Sequence, residues 1–247
     1  MGRKVSTREL GLILGARLLK TEDLHYGYWS DGLDVTLANL PKAQDAYCEY
    51  LIGKIPKGVK TILDVGCGTG HVAHLLVQRG YQVECVSPAP LLTKAARERL
   101  GTTVTIYETT MEGLAPSRTY DLLLFSESFQ YIPPEYSLPK ANRMLNTGGY
   151  VLLCDFFNRE DAGPSALRGG HPVKAFEAYP KTQPYRVLVD DDITARAAPN
   201  LQLIDNMLQD YALPVWDAMS YYLRENHPWL SKMLRPFVGK KLRKLEF

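Results

Sequence analysis

The stretch Ile62-Leu63-Asp64-Val65-Gly66-Cys67-Gly68-Thr69-Gly70-His71 constrains this chain more than any other segment. Ile62 to Val65 has the apolar, β-branched character of a buried parallel strand, and glycines follow at every second position. The pattern describes a strand running into a tight turn whose backbone approaches a ligand closely, with a helix opening at Val72. The register of the glycines then separates two nucleotide chemistries. A dinucleotide-binding turn has its third glycine three places after the second, where this chain has His71. Here Gly70 comes two places after Gly68, and the acid Asp64 precedes Gly66 by two.

From Thr61 onward the pattern alternates strand and helix, which predicts an α/β fold: a mostly parallel sheet with helices on both faces. The expected strands are Thr61–Val65, Gln82–Val86, Val104–Glu108, Asp121–Ser126, Tyr150–Phe156 and Tyr185–Val189. The expected helices are about Val72–Arg79, Leu91–Leu100, Leu138–Leu145 and Pro172–Tyr179. Asn146-Thr147-Gly148-Gly149 reads as the turn feeding the fifth strand, with glycine just past a helix end. Before the core, Ser6-Thr7-Arg8-Glu9 has capping-box spacing and opens a first helix to about Lys20. A second helix is expected over Lys42–Ile52, with Pro41 near its start. Beyond Val189 the chain reads helical, with Ile204, Met207, Leu208 and Tyr211 at helical spacing. The expected organisation is an N-terminal helical cap and aromatic lid (1–55), a Rossmann-like core (56–193) and a C-terminal helical cap (194–247).

The 247 residues suit one α/β domain with an elaboration, and the net charge of +2 carries no global field for nucleic acid or an acidic substrate. Cys48, Cys67, Cys85 and Cys154 form no CxxC pair, and no His/Cys cluster has metal-ligand spacing, so no metal site is expected. A reducing, cytoplasmic setting fits cysteines in or beside core strands. No apolar run reaches transmembrane length, and Gly15 and Arg17 interrupt the one stretch resembling a signal-peptide core.

Taken together, the acid, the glycine spacing, the strand before and the helix after resemble the motif of Rossmann-like S-adenosylmethionine (SAM) dependent methyltransferases. Ser126-Glu127-Ser128-Phe129-Gln130-Tyr131-Ile132-Pro133 resembles the Glu-Ser-x-x-His-Met-Pro segment of the tocopherol methyltransferase branch, which is related to sterol and cyclopropane-forming enzymes. Tyr131 stands where several relatives have histidine. The loop Asp23–Trp29 resembles the His-x-Gly-aromatic entry motif of that branch, and Asp191-Asp192-Ile193-Thr194 a segment before its substrate cap. A sheet of this kind usually closes with a seventh, antiparallel strand. Nothing after Val189 has a strand pattern, so that strand is either absent or beyond the chain given.

The resemblance implies the following site. Gly66, Gly68 and Gly70 lie against the methionine end and ribose of SAM, and Asp64 anchors the amino-group region or simply holds the turn. After the second strand, Ser87 occupies the position where the family carries a ribose-binding acid. Glu84 cannot replace that acid, because three residues along a strand place it on the opposite face. Thr110, Met111 and Glu112 fall in the segment that packs on adenine, although Met111 serves equally as core filler. Ser126 and Glu127 end the fourth strand, where Glu127 either orients the acceptor or bonds nearby backbone. Tyr131 either donates a hydrogen bond to the acceptor or packs. Tyr26, Tyr28 and Trp29 suit a cation–π wall and lid, or fill a gap between helices and sheet. Where the acceptor needs a base, His25 and His171 are the candidates, because histidine titrates near neutrality; solvated loop positions explain both as well.

The cap aromatics Tyr211, Trp216, Tyr221, Tyr222 and Trp229 suggest a small, apolar or aromatic acceptor, or plain packing. The basic segment from Lys232 to Phe247 reads as a solvated helix face in preference to a membrane contact. The expected activity is methyl transfer from SAM, giving S-adenosylhomocysteine. A cyclopropane-type lipid-modifying enzyme and a non-catalytic SAM-fold binding protein are the rivals.

Overall fold

The computed structural model describes residues 23, 25–115, 118–159, 170–182 and 184–230. The first expected helix and the basic segment after Lys232 lie outside these residues. In chain order the core elements are α1 (Leu40–Gly53), β1 (Thr61–Val65), α2 (His71–Gln78), β2 (Gln82–Val86), α3 (Pro90–Leu100) and β3 (Thr105–Tyr107). There follow β4 (Tyr120–Ser126), α4 (Pro134–Met144), β5 (Leu145–Cys154), β6 (Phe157–Asn158), β7 (His171–Pro172) and α5 (Val173–Thr182). The chain continues through α6 (Thr194–Ala197), α7 (Pro199–Met207), a π-helical turn (Leu208–Ala212) and α8 (Leu213–Asn226).

The main sheet has five strands in the order β3-β2-β1-β4-β5, and every pairing is parallel. Side chains alternate across it, so neighbouring residues feed opposite cores. Ile62, Cys85, Leu122 and Leu124 pack on one face with Tyr47, Leu51, Leu76 and Ala96. Leu63, Val65, Val86, Leu123 and Phe125 pack on the other with Phe129, Leu138 and Met144. Leu122 through Phe125 are wholly buried, as a central strand covered on both faces requires. After β1 the chain winds outward through β2 and β3, then crosses to β4 on the other side. That reversal opens a crevice beyond the carboxyl ends of β1 and β4, the place where such sheets hold ligands.

The first two strands begin and end at the residues read from sequence. Three other expectations need correction. The helix expected from Leu138 starts at Pro134, which sits near the helix N-terminus where its missing N–H costs nothing. The fifth strand starts at Leu145, and Asn146–Gly149 forms an irregularity in its pairing, with Gly148 at φ +75°. The sixth strand expected at Tyr185–Val189 is not formed. Val187, Leu188 and Val189 are each more than half exposed, and among the described residues no neighbouring strand supplies a ladder for them. Among the described residues no seventh strand joins the sheet, and no helix is long and apolar enough to cross a membrane.

The aromatic loop is buried by tertiary contacts at residues far along the chain. Trp29 is 3% exposed in a cluster with Leu40, Ala43 and Leu203. Asn200 of α7, itself buried, accepts from Gly27 N–H at 2.9 Å and Trp29 Nε1 at 3.0 Å, and donates to Gly27 O at 2.7 Å. A Cβ on Gly27 would stand 2.5 Å from that of Ala43, so only glycine lets the loop lie this close to α1.

Candidate functional site

A cavity of about 580 Å³ opens at the crevice. One wall is built from the ends of β1 and β2. Gly66, Gly68 and Gly70 all have left-handed φ (+81°, +57° and +81°), which is why glycines recur in this turn. Their neighbourhoods differ. A Cβ on Gly66 would meet Ser128 Cβ at 2.5 Å, so this glycine admits the loop after β4, where Ser128 donates to Val65 O. A Cβ on Gly68 would meet nothing within 4 Å. Gly70 caps α2 and faces Leu100 and Ala96 of α3, so it serves helix packing and does not line the cavity.

Asp64 is 1% exposed, lines the cavity, and its Oδ2 has no hydrogen-bond partner among the described residues. Burial alone pushes its carboxyl up to about 7. An orphaned acceptor of this kind is costly in a free protein and well suited to a cationic donor from a ligand. Ser87 is buried at the end of β2 on the same wall, with Ala89 N–H 3.4 Å from its Oγ. Glu84 is taken up elsewhere, accepting from Tyr107 Oη at 2.9 Å and Tyr120 Oη at 2.6 Å and pairing with Arg118, as its face of the strand requires. Met111 is 2% exposed and does both expected jobs, packing in the core while its edge lines the cavity beside Thr110 and Glu112. Thr110 Oγ1 accepts from Gly113 N–H at 3.3 Å, which shapes this turn.

The opposite wall consists of Tyr26, residues 126–128 and 130–132, and Phe156 to Asn158. Ser126 Oγ lies 3.0 Å from Tyr47 Oη. Glu127 is the sole non-glycine described with positive φ, at +51°, a conformation that costs about 1 kcal/mol and needs enforcement by its surroundings. Its N–H donates to Cys154 O at 2.8 Å and its Oε1 accepts from Tyr26 N–H at 2.8 Å. Burial raises its carboxyl to about 8, against the pull of the Tyr26 bond and with a push from Asp155. Tyr131 lies at the mouth, 53% exposed.

The two histidines part company. His25 lines the cavity, stacked on Tyr47 with ring centroids 4.9 Å apart. Its Nδ1 meets Tyr26 O at 3.0 Å and its Nε2 lies 3.6 Å from Cys48 Sγ, while burial lowers its pKa. His171 does not reach the cavity. Its Nε2 faces Phe129 O and Ile132 O at 3.0 and 3.1 Å, so it braces the short helix behind the wall. Tyr28 is also elsewhere, stacked on Tyr50 at 4.9 Å; of the loop aromatics only Tyr26 lines the cavity.

The sequence reading passed over Asp155. Its carboxylate accepts from Gln130 N–H at 2.9 Å and Phe156 N–H at 2.7 Å, which holds the second wall in shape. An acid directly after β5, at the carboxyl edge of the sheet, was the available signal. Charge is uneven around the cavity. Asp23, Asp64, Glu112 and Glu127 line it, and among the described residues no lysine or arginine does.

Comparison with known proteins bears on this geometry. Residues 62–149 match a family described as a methyltransferase domain. Residues 62–149 are a class I SAM-dependent methyltransferase domain. An uncharacterized methyltransferase of Mycobacterium tuberculosis is 30% identical over 99 residues, 40% of this chain and 41% of its own length. The 27-O-demethylrifamycin SV methyltransferase of Amycolatopsis mediterranei is 28% identical over 144 residues, 55% of this chain and 52% of its own length. The matches therefore span about half or less of these curated relatives. A geranyl diphosphate C-methyltransferase from Streptomyces coelicolor, solved with Mg2+, geranyl-S-thiolodiphosphate and S-adenosyl-L-homocysteine, aligns at TM-score 0.65. It is 19% identical over 81% of this chain and 83% of its own, which establishes the shared fold. The methyltransferase domain thus runs from β1 to the start of β5, and it carries the whole β1–β2 wall together with the loop after β4 from the opposite wall. Its residues fit a sulfonium nucleoside: an orphaned buried carboxylate, an open glycine turn and an apolar floor of Leu92 and Met111.

Proposed function

We propose that this chain transfers the methyl group of SAM to a small, largely apolar acceptor that is uncharged or cationic. The observation that carries this reading is the pairing of an unpartnered, buried Asp64 Oδ2 with an open glycine turn in one acid-lined cavity. Bound SAM would supply an electrophilic methyl on sulfur, and the protein's part is to position the partners and exclude water. Asp64, Gly66, Gly68, Ser87, Thr110, Met111 and Glu112 form the cofactor side, joined by Ser126 from the end of β4 on the opposite wall. Asp64 holds the cationic end, and the turn's backbone lies along the methionine and ribose. Tyr26, Ile132, Phe156 and Phe157 give the acceptor an apolar, aromatic side. The absence of lysine and arginine from the described lining argues against a diphosphate or other anionic acceptor. Residues 56–193 act as the core in this reading, with the flanking segments 1–55 and 194–247 as caps. Unpaired thiols at all four cysteines agree with a reducing, cytoplasmic setting.

Glu127 is the base in this reading, in preference to His25, because both His25 nitrogens already face Tyr26 O and Cys48 Sγ. Below about pH 8 its carboxyl keeps a proton and donates to an acceptor heteroatom. Above that it takes a proton from an acidic O–H or N–H. Tyr131 closes the mouth.

Isothermal titration with S-adenosylhomocysteine tests the cofactor half. Wild-type protein should bind, and Asp64→Asn should weaken binding by about 10- to 150-fold, the worth of a hydrogen bond to a charged group. Transfer of an intact labelled methyl to a neutral apolar acceptor tests the rest, whereas labelled methylene in a ring would mark the lipid-modifying alternative. The buried Ser87 where relatives carry an acid favours a second reading, a binding protein without activity. Binding with no turnover on any neutral acceptor would support it, and no binding at millimolar ligand would remove both.

A further inference from the structure

His25, Cys48 and His71 come from three separate elements and converge at the edge of the cavity, whose lining includes both histidines. One ligand atom from each lies within 4.8 Å of the other two. We propose that they bind a divalent zinc-type ion through His25 Nε2, the Cys48 thiolate and the His71 nitrogen turned away from Asp23, with Asp45 closing the fourth position. Two imidazoles and a thiolate are the donor set of a borderline-soft ion, and four-coordinate closure is what structural zinc sites adopt. The separation of His25 Nε2 from Cys48 Sγ is 3.6 Å. Tetrahedral zinc, with bonds of about 2.0–2.1 Å to nitrogen and 2.3 Å to sulfur, sets two such donors about 3.6 Å apart. The remaining ligand separations, up to 4.8 Å, would have to shorten by side-chain rotation as the ion binds.

Both rings are already oriented as metal-binding imidazoles are. His25 Nδ1–H donates to Tyr26 O at 3.0 Å, which leaves Nε2 as a lone-pair donor. His71 Nδ1 is hydrogen-bonded to Asp23, whose Oδ1 is in turn held by Thr69 Oγ1 at 3.2 Å and Arg99 at 3.1 Å. Asp45 Oδ1 stands 4.0 Å from His71 Nε2. Asp45 and Cys48 are three apart on α1 and so share a helix face. Binding balances simply: the Cys48 S–H bond breaks, its proton leaves to water, and sulfur donates its pair to the metal. The ion would tie the loop from Asp23 to Trp29 onto α1 and α2 beside the cavity. This inference stands whether or not the chain transfers methyl groups.

Full-length protein, stripped with chelator and titrated with Co2+, tests it. One equivalent should bind, with the intense d–d bands of four-coordinate cobalt and a thiolate-to-cobalt charge-transfer band, and Zn2+ should bleach both. Cys48→Ser should lose the charge-transfer band. Asp23→Asn should weaken uptake by about 10- to 100-fold through loss of ring orientation. X-ray absorption on the wild-type zinc form does not depend on any variant folding, and should find one sulfur at about 2.3 Å with nitrogen or oxygen at about 2.0 Å. No cobalt uptake, a charge-transfer band that survives Cys48→Ser, or a shell with no sulfur or two sulfurs would overturn the assignment.

Discussion

The two walls of the cavity are made by different means. The wall at the ends of β1 and β2 is shaped by backbone: regular parallel strands run into a glycine turn, and its buried carboxyl, Asp64, is left with an unanswered oxygen. The wall formed by residues 126–132 and 155–158 is irregular backbone held in place by side chains. Asp155 grips two amide N–H groups, His171 meets two carbonyls, and Glu127 sits in a left-handed conformation tied to Tyr26. The first wall therefore depends on what is missing, a Cβ here and a partner there. The second depends on particular side chains being present. Substitutions should fail differently on the two sides.

The largest effect is expected at Gly66. Gly66→Ala forces a Cβ to 2.5 Å from Ser128 and imposes left-handed strain, and should cost about 2–4 kcal/mol in urea denaturation or prevent folding. Gly68→Ala meets no atom and should cost only about 1 kcal/mol of backbone strain. Equal costs at both positions would erase the distinction between a packing glycine and an open one.

A smaller effect compares the two carboxyls. Both are raised in the folded protein, so the stability they contribute is complete below about pH 4. It is lost as pH climbs through about 7 for Asp64 and about 8 for Glu127. Lowered pKa values act the other way: His25 withdraws stability as pH falls below its ordinary range, and Asp23, near 2, matters only in strong acid. From pH 6.5 to 8 the ligand-free protein should thus lose about 2 kcal/mol, the larger share through Glu127, and level off above about pH 9. Glu127→Gln should lose less than half as much over the same range, the remainder coming from Asp64. A wild type that gains stability there would reverse the assignment of both groups.

The smallest effect sharpens the division of labour. His171→Ala removes the brace behind Phe129 and Ile132 without touching the cavity, and should cost about 1 kcal/mol of stability. It should raise KM for the acceptor several-fold while leaving S-adenosylhomocysteine affinity unchanged. A matching loss on the nucleoside side would show that the walls are not independent.

The same division explains what the sequence disclosed. The glycine turn, the bounds of β1 and β2, and the inward and outward faces of Glu84 and Ser87 follow from period, residue type and local geometry, and all were readable. Tyr185–Val189 has a strand's composition, but pairing needs an adjacent edge, which no local pattern encodes. For Tyr28 and Trp29 a cofactor wall and plain gap filling read equally well, because the partners that decide it, Tyr50 and Asn200, lie 22 and 171 residues away. His25, Cys48 and His71 show no ligand spacing along the chain and meet only through the fold. Glu127 was legible as a strand-end acid, but its backbone conformation and its protonation come from burial that no motif records.

The Asn200 side chain has a mechanical consequence. Gly27 and Trp29 are bonded to it through both amide edges, and Trp29 N–H also donates to Arg196 O, so the entrance strap and the α6–α7 corner are riveted together. Any displacement of the strap that preserves these bonds carries the α6–α7 corner with it, so the position of Tyr26 on the cavity wall is tied to a residue 173 positions beyond Gly27 along the chain.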